Sequence, residues 1–168
     1  VHNIKPRIVG VTSYTFNFSV AKKIIEEVKS IEPGIVTVMG GVHASSMPEK
    51  VLRENPALDF IVVGEGEYTL LELCKRVLNG EPVERINGLA LRKDDEIAVN
   101  PPRELVKDLD ELPIPDRDLL PFKKYPLALI QTSRGCPYNC IFCHINRFYG
   151  KKTRLRDPKR VVEECHHV

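Results

Sequence analysis

The chain has 168 residues, enough for one domain or two small ones. Its 25 lysines and arginines against 23 aspartates and glutamates leave a net charge of +2, which argues against general nucleic-acid coating and against an acidic-membrane anchor. With 42% apolar and 29% charged residues it is composed as a globular protein, and no apolar run reaches the roughly 18 residues of a membrane span.

Residues 7–13 (Arg-Ile-Val-Gly-Val-Thr-Ser) are expected to form a short apolar strand with a polar end. Val20, Ala21, Ile24, Ile25, Val28 and Ile31 recur at three- and four-residue steps, which predicts a helix capped near Asn17 or Ser19 and stopped by Pro33-Gly34. A second strand, 35–39, ends at Gly40-Gly41, and Pro48 opens a short helix to about Asn55. A third strand, 60–63, closes on Gly64-Glu65-Gly66-Glu67. A further helix follows, with Leu70, Leu71, Cys74, Val77 and Leu78 on its apolar side, and ends at Asn79-Gly80. Strand–helix alternation with near-continuous apolar strands predicts an α/β fold with a doubly wound parallel sheet. In such a sheet the loops at 12–18, 40–47 and 64–67 share the carboxyl edge, where ligands bind.

Beyond Gly80 the pattern changes. Residues 86–92 and 97–100 flank Lys93-Asp94-Asp95-Glu96 as a hairpin. Seven of the 13 prolines fall between Pro101 and Pro137, so 101–126 is expected to be an extended connector, too apolar to float free. A strand over 127–132 leads into Ser133-Arg134-Gly135-Cys136, and Asp157-Pro158 starts a last helix. The expected domains are 1–83 as the α/β domain, 84–126 as hairpin and connector, and 127–168 as the start of another domain.

The strongest chemical signal is Cys136-Pro-Tyr-Asn-Cys140-Ile-Phe-Cys143. Three of the five cysteines within eight positions suit metal chemistry in a reducing, cytoplasmic compartment better than a disulfide scaffold. Three thiolates on one loop favour an iron–sulfur cluster, and three ligands for a four-iron cube leave one iron open. Zinc held by these cysteines plus His144 is the competing possibility. Cys74 and Cys165 are expected to be small packing residues.

The cysteine motif, with Phe142 before its last cysteine and Arg134-Gly135 before its first, resembles the radical S-adenosylmethionine (radical SAM) signature. Gly40-Gly41-Val42-His43-Ala44-Ser45, the segment Gly64-Glu65-Gly66-Glu67-Tyr68-Thr69 and the connector from Asp108 to Leu120 together resemble the family in which a cobalamin-binding domain precedes that signature. The resemblance implies Cys136, Cys140 and Cys143 as ligands of a [4Fe-4S] cluster whose open iron chelates S-adenosylmethionine, with Phe142 beside the adenine. It also implies cobalamin against Thr12, Tyr14, Gly40 and Gly41, and a barrel begun by 127–168. One electron from the cluster would yield a 5′-deoxyadenosyl radical for methyl transfer to carbon or for ring formation on a small-molecule substrate. A reductant protein such as flavodoxin or ferredoxin would supply that electron.

Bland alternatives stand beside several of these residues. The glycine pair also suits a tight strand–helix turn without ligand, His43 a plain loop histidine, and Glu65 and Glu67 a turn and a helix start. The hydroxyls of Thr12, Ser13, Thr15 and Ser45 are candidate partners for a corrin side amide or nucleotide tail. The basic run from Arg147 to Arg160 is read as a solvated loop rather than a nucleic-acid surface. His2 is rejected as a cobalt ligand, because Lys5 stands where the cobalt-ligating motif has glycine and 7–13 resembles a later strand than the one that motif follows. The chain is expected to be a piece of a longer enzyme and to be inactive alone. A non-catalytic metal-binding module and a stand-alone corrinoid carrier are the alternatives.

Overall fold

The computed structural model describes residues 4–94, 96–119 and 129–166. Two compact units divide the chain, Val1–Glu104 and Leu105–Val168. In the first, the strands β1 (Ile8–Thr12), β2 (Val36–Gly40) and β3 (Phe60–Val62) run parallel, with Ile8 opposite Val36 and Met39 opposite Ile61. The helix α1 (Phe18–Ile31) follows β1, α2 (Val42–Ser46) and α3 (Pro48–Glu54) follow β2, and α4 (Glu67–Asn79) follows β3. The hairpin of β4 (Leu89–Lys93) and β5 (Glu96–Val99) joins the same sheet antiparallel, in the order β1-β2-β3-β4-β5.

Alternation along the strands separates two cores. Met39, Ile61 and Ala90 face Ala21, Ile25, Val51 and Leu52 on one side of the sheet. Val38, Val62, Leu89 and Leu91 meet Leu73 and Ile86 on the other. The sheet is therefore wound on both faces, as the alternation of elements predicts. Thr37 is polar yet fully buried in β2; its hydroxyl donates to the Ala57 carbonyl (2.7 Å) and accepts from the Asp59 amide (3.1 Å), its amide donates to the Asp59 carboxylate (2.8 Å), and Asp59 also pairs with Lys29 at 2.7 Å. A buried hydroxyl without such partners would destabilise the strand by about 1–3 kcal/mol.

Helix α4 departs from its expected face. It buries Thr69 and Leu73, while Leu70, Leu71 and Leu78 are exposed and Cys74 and Val77 are half-buried. With apolar residues on two sides of the helix, its own periodicity does not say which one meets the sheet. Burial pushes the Cys74 thiol up, away from the reactive thiolate. The far end of the unit is tied to α4 by charge: Arg103 donates to the Thr69 hydroxyl (2.9 Å) and pairs with Glu72, which also pairs with Arg76 at 2.7 Å. Burial would raise the Glu72 carboxyl, but hydrogen bonds from Arg103 and Arg76 outweigh it and hold the group below the ordinary range.

In the second unit, 105–119 carries no regular structure beyond two single-turn 3-10 helices, Leu109–Glu111 and Arg117–Leu119. Val106 and Leu109 are buried, as expected of an apolar strap, whereas Leu119 is exposed. Residues 120–126 of the expected connector lie outside the described residues. Of the strand expected over 127–132, 127 and 128 also lie outside them, and 129–132 form no strand. Pairing starts one step later, where β6 (Ser133–Arg134) meets the equally short antiparallel strand β7 (Arg154–Leu155). Between them lies α5 (Ile145–Tyr149), and α6 (Pro158–Cys165) ends the unit. Asp157 caps α6 by accepting from the Lys159 amide at 2.8 Å, with Pro158 in the first turn. Cys165 is exposed rather than packed, a correction to its expected role. Among the described residues no helix is long and apolar enough to cross a membrane.

Candidate functional site

At the carboxyl edge of β1–β3 the three loops are stitched together by their own backbone. Ser13 is fully buried; its amide (2.9 Å) and hydroxyl (3.2 Å) both donate to the Gly40 carbonyl, and its carbonyl accepts from the His43 amide at 3.1 Å. Gly41 makes this crossing possible. It has φ +89°, and a Cβ there would lie 2.7 Å from the Ser13 carbonyl oxygen and 2.7 Å from the Thr12 hydroxyl. The third loop joins through Ser45, whose hydroxyl accepts from the Gly64 amide at 3.0 Å. Thr15 and His43 are linked at 3.1 Å between Oγ1 and Nδ1, and the His43 ring packs on Phe18 with centroids 4.2 Å apart.

Thr12, Tyr14, Gly40 and Gly41 are thus brought together on one edge, as the parallel sheet requires. Within it, the hydroxyls of Ser13 and Ser45 make hydrogen bonds inside the protein, and Gly41 crosses the backbone of the first loop. Open space remains over Gly40, where a Cβ would meet only the Val62 carbonyl at 3.8 Å, and over Gly64, where it would meet nothing within 4 Å. Exposed above this edge is a pair absent from the sequence reading: Tyr14 and Phe16 stack with centroids 5.7 Å apart and planes 12° apart. Small residues, outward Thr12 and an aromatic platform fit a flat, amide-bearing ligand such as a corrin with its nucleotide tail. His2 lies outside the described residues.

The cysteine loop belongs to the second unit. It leaves β6 through Gly135 (φ +92°), and the Cys136 amide donates to the Gly150 carbonyl at 3.1 Å. The Cys143 amide donates to the Cys140 carbonyl at 3.1 Å, forming a turn before α5. Cys136 and Cys143 are half-buried and Cys140 exposed. Phe142 projects outward at 90% exposure, with Tyr138 and Ile141 also exposed. His144 occupies the cap position of α5. Among the described residues no group of three or more histidines, cysteines, aspartates or glutamates is drawn together tightly enough to hold a metal ion. The structure therefore puts the three thiols on one loop without converging them. Their chemistry fits an iron–sulfur cluster: thiolates alone, on a short segment whose exposed apolar side chains can shield a cluster from water.

Comparison with known proteins bears on both units. Residues 1–74 match the B12 binding domain family. An uncharacterized methyltransferase of Pyrococcus horikoshii is 38% identical over 98% of this chain and 37% of its own length. The anaerobic magnesium-protoporphyrin IX monomethyl ester cyclase of Rubrivivax gelatinosus is 37% identical over 98% of this chain and 31% of its own. The solved structure of the cobalamin-dependent S-adenosylmethionine radical enzyme OxsB superposes with a TM-score of 0.80 at 28% identity, covering 98% of this chain and 23% of that one. Residues 1–74 thus carry a B12 binding domain, and the chain along its length is similar to cobalamin-dependent radical SAM proteins. It spans about a third of the length of the curated relatives it matches. The likeness to OxsB covers 98% of the chain and so takes in both the glycine loops and the cysteine loop.

Proposed function

We propose that the chain is the part of a cobalamin-dependent radical SAM enzyme that binds cobalamin along the carboxyl edge of β1–β3 and a [4Fe-4S] cluster through Cys136, Cys140 and Cys143. The observation that carries this reading is the likeness to OxsB over 98% of the chain, which takes in the glycine loops and the cysteine loop together. When bound, the cluster supplies single electrons to S-adenosylmethionine and cobalamin supplies a cobalt centre able to carry a methyl group. On the protein side, Gly40 and Gly64 leave room for the corrin, Thr12 and Tyr14 line it, and Phe142 flanks the adenine of S-adenosylmethionine. The reading extends to a small-molecule substrate, an electron-donor protein such as flavodoxin or ferredoxin, and a cytoplasmic setting. Methyl transfer to carbon and ring formation are the two reaction classes in view, since a methyltransferase and a cyclase stand among the relatives.

Anaerobic loading with iron and sulfide tests the cluster. Uptake of about four irons per chain, with a spectrum perturbed by S-adenosylmethionine, is expected, and both should vanish in the Cys136→Ala/Cys140→Ala/Cys143→Ala variant. Tight stoichiometric zinc with no response to S-adenosylmethionine would instead make this a metal-binding module without radical chemistry. Cobalamin uptake that is unchanged in the triple variant, without iron uptake by either protein, would leave a corrinoid carrier.

The glycine edge makes a separate prediction. Gly41→Ala forces the first two loops apart at a backbone contact, and cobalamin affinity should fall by about tenfold or more, corresponding to about 1.4 kcal/mol. Titration of hydroxocobalamin followed by absorbance reads this directly. Unchanged affinity would remove this edge from the binding site.

A further inference from the structure

Three thiols can hold one cluster only if the chain doubles back within eight residues, and ordering such a loop has a conformational cost. Its ties include two backbone bonds, from Cys136 to Gly150 and from Cys143 to Cys140. Another is a side chain. Asn146, half-buried in the first turn of α5, donates from Nδ2 to the Tyr138 carbonyl at 3.0 Å and to Asn139 Oδ1 at 2.9 Å. Both acceptors lie in the stretch between the first two cysteines, which contains no helix or strand. The orientation of the amide follows from its partner: turned over, Asn146 would present an acceptor oxygen to the Tyr138 carbonyl. Ile145 and Arg147 on either side are exposed, whereas Asn146 is half-buried and directed at the loop.

We propose that Asn146 is a positioning residue for the cluster, fixing the spacing of Cys136 and Cys140 through Tyr138 and Asn139 without touching either thiol. The inference rests on the reading of the three cysteines as cluster ligands. Groups that orient metal ligands in this way change metal retention by about tenfold to a hundredfold when removed.

The test loads the chain anaerobically as wild type, Asn146→Ala, Asn146→Asp and Asn139→Ala. It then follows iron loss to a chelator, the electron paramagnetic resonance of the reduced cluster, and thermal unfolding before loading. Asn146→Ala should lose iron about tenfold faster than wild type, with a shifted resonance and an unchanged unfolding midpoint. Asn146→Asp is nearly isosteric but has no amide donor, so it should behave like alanine. Asn139→Ala keeps the Tyr138 bond and should fall between wild type and Asn146→Ala; it also serves if Asn146→Ala does not fold. Wild-type retention and resonance in both Asn146 variants would overturn the role of Asn146 and leave the cluster reading standing. Failure of the wild-type chain to take up iron would overturn the cluster reading, and this inference with it.

Discussion

Gly135→Ala is expected to destabilise the cysteine-bearing unit by about 3 kcal/mol or more. Two costs combine there. The backbone sits at φ +92°, a region that side chains strain to occupy, and the added Cβ would overlap the Lys152 carbonyl oxygen while lying 2.9 Å from its carbon and 3.2 Å from the Gly150 oxygen. These neighbours are backbone, so no rotamer change relieves them. Gly150→Ala is the matched control. Its φ is +79°, but its Cβ would meet only the tip of the Leu105 side chain at 2.7 Å, which can swing aside. Its cost should be about 1–3 kcal/mol, the conformational part alone. Urea unfolding followed by hydrogen exchange of the amides around 132–156 measures both. Equal losses would mean that the crossing of Gly135 with 150–152 is not tight.

Glu164→Ala should cost a similar amount, about 3–5 kcal/mol, for an electrostatic reason. Glu164 is 2% exposed on α6 and holds two guanidinium groups, those of Arg117 and Arg156. Arg117 is itself buried and also donates to the Leu129 carbonyl at 3.1 Å; Arg156 donates to the Gln131 carbonyl at 3.2 Å and lies 3.7 Å from Asp110. Removing the carboxylate leaves two cations that water reaches poorly, and that penalty exceeds any packing lost. Acid should show the same coupling. Burial alone would raise the Glu164 carboxyl, but the hydrogen bonds from Arg117 and Arg156 outweigh it and hold it below the ordinary value of 4.5. A carboxyl lowered in the folded state contributes stability that is complete above the unfolded value and is lost as pH falls through the folded one. Wild type should therefore lose stability below about pH 4.5 more steeply than Glu164→Gln in urea titrations. Because Glu72 contributes with the same sign in the other unit, the difference between the two proteins is the quantity to read. Parallel curves would show that the pair is not coupled to folding.

Features carried by local pattern were legible in the sequence. Apolar runs at 8–12, 36–40 and 60–62 give strands, glycine directly follows the second, and parallel pairing then puts Thr12, Tyr14, Gly40 and Gly41 on one edge. The cysteine motif was legible from spacing. What remained hidden depends on partners distant in the chain. A hairpin pattern at 89–99 does not say that Leu91 will pair with Phe60. Glu164 and Arg117 are 47 residues apart, and nothing local marks either as buried. The stacking of Phe16 on Tyr14 and the reach of Asn146 to Tyr138 are matters of side-chain direction, which spacing does not determine. Gly135 and Gly150 resemble any loop glycines until their backbones are seen to cross.

The reversal of strand direction after β3 has a practical corollary. Leu89 lies beside Val62 and Leu91 beside Phe60, so β4 runs back from the glycine loops and delivers its turn with β5 at the opposite rim of the sheet. Asp94, with φ +52°, already adopts there a backbone shape that a short polar insert tolerates. An affinity tag or a fluorescent label spliced into that turn would sit a full strand's length from Thr12 and Gly41, giving a handle for following corrinoid uptake without crowding the edge proposed to bind it.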